Sequence, residues 1–425
     1  MYNTLTIKSK RTDQPLNKQL NRKYAASHAI NSGLLATMLA FASIFLLDKG
    51  FANSTIGMIL ALCNVAAIIV QTFFANLTAK RPLLKLQDML TFMLIVIILA
   101  SLTLFISPSP TLFLFAVILA FSFAQSNTPF VNSMAFIYEE EGIQINYGVG
   151  RGFGSLAYAL INLILGFMIE KTSPGILPLL YIILALIFIF IIRSYRLPAD
   201  HQPVDREMKP EVELHTVEPI PVENQSLAGF FSKYRHLSLV ILGLSFVLFS
   251  QTLIGTFMIQ IVSPLGGDSS TVGLAIFIAA AIEFPVMMNF DRLLKKRSAA
   301  FWLKLAVFFY ICKIGIILSA NSIWLVYLSQ SLQFGSYALA YPAAVQYIKN
   351  SVDKQDLFKG QTIFTIGTTM SAVFASFMGG LILDNFGVSS MLLTAFFAVF
   401  IGGFIIYSTL NKLPVEQLEV VKVQK

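Results

Sequence analysis

Twelve stretches of mainly apolar residues follow one another along this chain, each long enough to cross a bilayer. They fall at 25–47, 53–75, 88–106, 111–137, 147–169, 175–193, 237–262, 271–290, 299–319, 323–348, 361–384 and 389–410. A helix rises 1.5 Å per residue, so about 20 apolar residues span a hydrocarbon core of about 30 Å. A soluble enzyme would show alternating faces instead of such runs. Composition agrees: 12% of the 425 residues are charged and 56% are hydrophobic, where soluble domains carry about 25% charged residues. The expectation is an all-α membrane protein with twelve transmembrane helices.

The first stretch follows a basic leader (Lys8, Lys10, Arg11, Lys18, Arg22, Lys23). It is too long for a signal-peptide core and has no clear small-residue cleavage site, so it reads as an uncleaved helix. Orientation follows from the loop cations. With both termini cytoplasmic, Lys49 and Lys171 are the cations left in outside loops, and Arg151, Lys304 and Lys313 lie within spans. Every other member of the 30 Lys and Arg falls inside. The expected location is the cell membrane, multi-pass. The net charge of +8 sits in these short clusters and not in a basic stripe, so no nucleic-acid partner is expected. Cys63 and Cys312 both lie in apolar stretches, which excludes a CxxC metal site and argues against a disulfide framework.

A long segment, 194–236, separates six stretches from six. It holds Pro198, Pro203, Pro210, Pro219 and Pro221 among mixed charges and reads as a flexible linker. The implied division is a leader (1–24), a six-helix bundle (25–193), the linker (194–236), a second six-helix bundle (237–412) and a tail (413–425). Two similar halves joined by a cytoplasmic linker form a pseudo-symmetric pair of bundles.

Short outside loops leave no room for a catalytic domain. No HExxH, GxSxG or phosphate loop occurs, so neither an enzyme nor an ATP-driven pump is expected. No cofactor or metal is implied, and no obligatory protein partner. What remains is an apolar bundle with polar groups at membrane depth, which usually face protein or a water-filled cavity.

Glu283 lies deep in the eighth stretch, about 10 Å or more from either interface. An ionised carboxylate there costs about 2.5–3.5 kcal/mol. It is therefore either a proton-coupling group or half of a structural ion pair. Lys313 in the ninth stretch could snorkel outward or pair with Glu283. Arg151 in the fifth sits in YGVGRGFGSLAYA, at a depth set by where its helix starts: Tyr147 or Ile143. Its planar fork of donors suits hydroxyl pairs or a carboxylate. Gly148 with Gly152, and Gly150 with Gly154, form two small-xxx-small pairs that favour close helix packing. Gln125 and Asn132 in the fourth stretch, and Gln330, Gln333 and Tyr337 in the tenth, are candidate solute ligands. Gln71 and Gln251 add further amides. Amides join helices as often as they bind ligands. Pro129, Pro285 and Pro342 are mid-span and are expected to bend their helices.

These segments resemble the major facilitator superfamily over nearly the whole chain. Helix 5, YGVGRGFGSLAYA, is similar to the lactose permease-like oligosaccharide–proton symporters and their sugar-efflux relatives. The resemblance implies a sugar contact at Arg151, and a coupling or binding role for Glu283 (in IEFP) and Lys313. The branch's helix 4 glutamate is absent, with Asn132 and Ser133 in that region. Its titrating helix 10 residues fall near Gln330, Gln333 and Ser336. The resulting expectation is a secondary transporter for a small polar solute, most simply a sugar or oligosaccharide, moved by proton-coupled alternating access. Efflux of sugars or amphipathic drugs is one alternative. A non-transporting sensor or partner subunit is another.

Overall fold

All twelve apolar stretches fall mainly on helical backbone, and no strand occurs among the described residues. The computed structural model describes residues 5–80, 86–106, 109–140, 145–195, 227–353 and 356–410. Most of the linker (194–236) and the whole tail (413–425) lie outside the described residues. The helices are α1 (Leu5–Leu35), α2 (Ala42–Asp48), α3 (Asn53–Lys80), α4 (Leu86–Ile106), α5 (Pro110–Glu140), α6 (Tyr147–Lys171) and α7 (Leu177–Arg193). They continue as α8 (Leu227–Lys233), α9 (Arg235–Thr256), α10 (Met258–Val262), α11 (Ser269–Met288) and α12 (Phe290–Leu294). The last four are α13 (Ala299–Leu318), α14 (Ile323–Ser331), α15 (Tyr337–Ser351) and α16 (Leu357–Leu410).

Nine helices among the described residues are long and apolar enough to cross a membrane, and the bent pair α1–α2 adds a tenth. The 54 residues of α16 would reach about 80 Å if straight, far more than a bilayer needs. They fold back at Gly387, whose φ of 77° is a left-handed conformation that glycine adopts without steric cost. The tenth stretch is also interrupted, between α14 and α15. The count is consistent with twelve passes.

The chain packs as two compact units. One comprises Met1–Phe41, Cys63–Ile161 and Pro174–Val222; the other comprises Ala42–Leu62, Asn162–Ser173 and Glu223–Lys425. In the first, α4 packs against α5 and α7. Leu90, Met93, Leu94, Ile97, Ser101 and Leu104 of α4 are buried at helical spacing, while Phe92, Leu99 and Phe105 point outward. Such outward apolar groups are expected of a helix solvated by lipid. Ser122 and Ser126 of α5 donate to the carbonyls of Cys63 (3.2 Å) and Ala67 (3.1 Å) on α3. These hydroxyls join two helices by bonds that water would otherwise disrupt. Tyr24 and Leu20, both buried, show that α1 begins packing before the first apolar stretch does.

In the second unit α9 lies along both arms of α16. Gly243 and Gly402 allow backbone-to-backbone approach, and a Cβ at Gly243 would stand 2.8 Å from the Gly402 carbonyl oxygen. Ser371 and Ser250 complete the seam by donating to the carbonyls of Ser245 (2.8 Å) and Ala395 (2.7 Å). The α11 helix starts on a capping box, with Asp268 Oδ1 accepting from Thr271 N at 3.0 Å.

Candidate functional site

Polar groups gather between the apolar helices in each unit. In the first unit the cluster is built where α6 begins. Asn146 Oδ1 accepts from Val149 N (3.0 Å), and Asn146 N donates to Asn21 Oδ1 (2.7 Å). This cap starts the helix at Tyr147, the shallower of the two expected starts, so Arg151 sits about 6 Å along its axis. Arg151 Nη1 donates to Tyr147 Oη one turn earlier (2.9 Å). The Tyr147 ring stands edge-on to His28 of α1 (6.4 Å), which is edge-on to Tyr24 (4.7 Å).

Gly150 and Gly154 make this approach possible. A Cβ on Gly150 would lie 2.5 Å from the Tyr24 ring, and one on Gly154 would lie 2.8 Å from Ser32 Oγ. Gly148 faces only Asn146 Oδ1, at 3.6 Å. The second glycine pair, Gly148 with Gly152, therefore does not make the α1 contact at its first member. Tyr24 Oη reaches the Asn132 carbonyl at 3.5 Å, and Asn31 Nδ2 donates to Thr128 Oγ1 at 3.1 Å. The α1–α5–α6 junction thus brings together His28, Asn31, Thr128, Asn132, Tyr147 and Arg151. Gln125 is half-buried on α5, and its carbonyl accepts from Gln71 Nε2 at 3.4 Å. His28 Nε2 and Asn31 Oδ1 are buried with no hydrogen-bond partner among the described residues. Leaving such a group unsatisfied costs about 1–3 kcal/mol, which a water or a solute hydroxyl would offset.

In the second unit Lys313 is 1% exposed. It does not snorkel, and an amide links it to Glu283. Its Nζ donates to Gln251 Oε1 of α9 (3.0 Å) and to Gln333 Oε1. Gln333 Nε2 donates in turn to Glu283 Oε2 (3.2 Å). An ammonium only donates and a carboxylate only accepts, so the amide between them has one satisfactory orientation. Gln333 is thereby an oriented bridge between a buried cation and a half-buried anion. Ser329 Oγ ties the Lys313 carbonyl to α14 at 2.9 Å. Gln330 Nε2 and Tyr310 Oη are buried without a hydrogen-bond partner among the described residues, while Tyr337 is half-buried at the start of α15.

The bridge lies at a break in the helix. After Ser331 the backbone tightens to a 3-10 turn, Leu332–Phe334, and helix resumes only at Tyr337. Pro342, the residue whose ring bends a helix, sits inside α15 and not at this break. A Cβ at Gly335 would run into the Phe309 ring of α13, so this glycine lets the broken segment lie against its neighbour.

His28, Asn31, Tyr147 and Tyr310 were not singled out from the sequence. A signal was present: Tyr24, His28 and Asn31 recur at helical spacing in one polar stripe, and Tyr310 precedes Lys313 by three.

Comparison with known proteins follows the same outline. The pattern of the MFS_1-like family matches residues 23–394. A maltose permease of Geobacillus stearothermophilus is 23% identical over 362 residues, covering 84% of this chain and 86% of that protein. The uncharacterized transporter YwbF of Bacillus subtilis is 22% identical, covering 89% of this chain and 91% of its own. Among solved structures, the nucleoside transporter NupG superimposes with a TM-score of 0.73 at 11% identity, over 93% of this chain and all of that one.

Proposed function

We propose that this chain, which belongs to the MFS_1-like family, carries a sugar or short oligosaccharide across the cell membrane by proton-coupled alternating access. The protein is a membrane transporter of the major facilitator type, not an enzyme, and its cargo is a small molecule. The loop cations support a cytoplasmic position for both termini.

The bridge Glu283–Gln333–Lys313 carries the coupling assignment. A carboxylate at membrane depth is costly when ionised, and a nearby buried cation offsets part of that cost. Taking up a proton removes the charge on Glu283. The bond from Gln333 then drops from charge-assisted to neutral and loses roughly half its strength. Glu283 therefore has two states that its surroundings distinguish, as a coupling group requires.

The sugar assignment is supported by the groups around Arg151 and by the maltose permease relative. A sugar hydroxyl both donates and accepts. Arg151 supplies only donors, Asn132 supplies both kinds, and the orphaned Asn31 Oδ1 accepts. Arg151 and Asn132 are assigned as solute ligands, with Gln125 beside them on α5. Gln330 and Tyr337 take the same role in the second unit. Gln333 serves the bridge first.

The test is the pH of a lightly buffered suspension of energy-depleted cells expressing the protein, as maltose and a panel of sugars are added. One sugar should alkalinise the medium. Glu283→Gln should abolish accumulation driven by a pH gradient while keeping counterflow of the same sugar. Undiminished accumulation in that variant would remove Glu283 from the mechanism.

A further inference from the structure

A groove opens between α9 and the two arms of α16, all within the second compact unit. Its volume is about 610 Å³. Leu242, Phe246, Phe249, Met370, Phe374 and Phe397 line it, and Leu242, Phe374 and Phe397 are exposed. Three hydroxyls also line it, but each donates to a backbone carbonyl. Ser245 Oγ bonds Ile241 (3.0 Å), Ser371 Oγ bonds Ser245 (2.8 Å) and Thr394 Oγ1 bonds Ser390 (2.8 Å). A polar solute would shed water here and gain no free donor in return. The lining suits hydrocarbon.

Charge marks one end of this groove. Arg235 opens α9 and is exposed. It shares one helical stripe with Leu239, Leu242, Phe246 and Phe249, at i+4, i+7, i+11 and i+14. Along the axis Leu242 stands about 10 Å from Arg235 and Phe249 about 21 Å. Half a hydrocarbon core is about 15 Å, so a lipid chain headed at Arg235 ends within that interval. The neighbouring cations are already engaged. Lys233 pairs with Asp353 (2.8 Å) and Asp356 (2.9 Å), and Lys359 pairs with Asp356 (3.6 Å). These pairs neutralise the nearby carboxylates, while Arg235 makes no ion pair among the described residues.

We propose that Arg235 and this groove form one binding site for an anionic phospholipid, with the phosphate at Arg235 and an acyl chain ending between α9 and α16. Charge and groove together select the occupant. Bulk lipid covers any apolar face whatever its headgroup. A guanidinium at the head of the groove favours a lipid of net negative charge, because a zwitterionic headgroup brings its own ammonium to compete. The site needs no assumption about solute or coupling.

Fluorescence quenching in vesicles tests it with the full-length protein. Trp302 and Trp324, the chain's two tryptophans, are replaced by phenylalanine, and Phe374→Trp places a reporter in the groove. One set of phosphatidylcholine vesicles carries a minor fraction of phosphatidylglycerol with brominated chains. The other carries the same fraction of brominated phosphatidylcholine. Brominated phosphatidylglycerol should occupy the groove about fivefold more tightly, the gain expected for one cation at the surface. Arg235→Gln should remove that preference, and so should Ala398→Phe, which fills the groove and leaves Arg235 in place. A reporter at Phe115→Trp, exposed on α5 with no cation on its helix, should show no preference. Equal quenching by the two lipids at position 374, or a preference retained in either variant, would overturn the site. Loss of all quenching at 374, with Phe115→Trp quenched, would mean that a second copy of the chain covers the groove, and would overturn it too.

Discussion

Gly148 and Gly150 are two residues apart in one helix, yet the same substitution should act on them in opposite directions. Alanine at 150 places a methyl 2.5 Å from the Tyr24 ring, and overpacking of this kind costs about 1–3 kcal/mol. Alanine at 148 meets nothing closer than 3.6 Å and gains up to about 1 kcal/mol of helix propensity. Thermal unfolding in detergent should therefore show a lowered midpoint for Gly150→Ala and an unchanged or raised one for Gly148→Ala. Spacing alone marks both glycine pairs as contact-prone and does not say which face a neighbour occupies. Lys313 shows the same boundary. That it lies in the membrane follows from the length of its stretch. That it rests on amides from α9 and the α14–α15 break depends on residues 62 and 20 positions away.

Between α14 and α15 the break is set by tertiary contact. Pro342 is a local signal, and it is accommodated within α15. The interruption falls instead where Gly335 meets Phe309, a contact no local pattern announces. It exposes a half-helix junction beside Gln333, the kind of discontinuity on which transporters build sites. Gly335→Ala should push Phe309 aside or move the turn, costing about 1–3 kcal/mol. The functional readout is sharper: initial uptake should fall in Gly335→Ala and recover in part when Phe309→Ala is added. No recovery in the double variant would mean that the two residues do not share this contact.

Over the whole molecule, the bilayer makes passes and charge asymmetry legible, because each apolar stretch must reach across the same thickness. Ion pairs that join distant segments are not legible, since they depend on loops whose geometry the helices set. Lys233, at the end of α8, donates to Asp353 (2.8 Å) and Asp356 (2.9 Å), and Tyr234 Oη bonds both carboxylates. This clamp ties the entrance of α9 to the α15–α16 junction. The bonds from Lys233, then those from Tyr234, hold both carboxyl groups below their ordinary value of 3.8. Groups depressed on folding contribute stability above their unfolded value and lose it as pH falls through the folded one. Lys233→Met should thus lower the unfolding midpoint by about 1 °C at neutral pH. The gap to the parent should close as the pH drops below 3.8. A gap that persists in acid would assign the loss to packing of the lysine stem.

One joint in that architecture works as a pair of compasses does. The last two passes meet at Gly387 with a single left-handed residue between them. No slack separates the arms, so the torsion angles of one residue set the angle between them, and α9, bonded to both, holds it. The second arm, Val388 to Leu410, is about 35 Å long, so a turn of about 10° at the pivot carries its tip about 6 Å. Asp384, which accepts from Asn53 N and Ser54 N at the start of α3, lies three residues from that pivot, on the short side of a long lever.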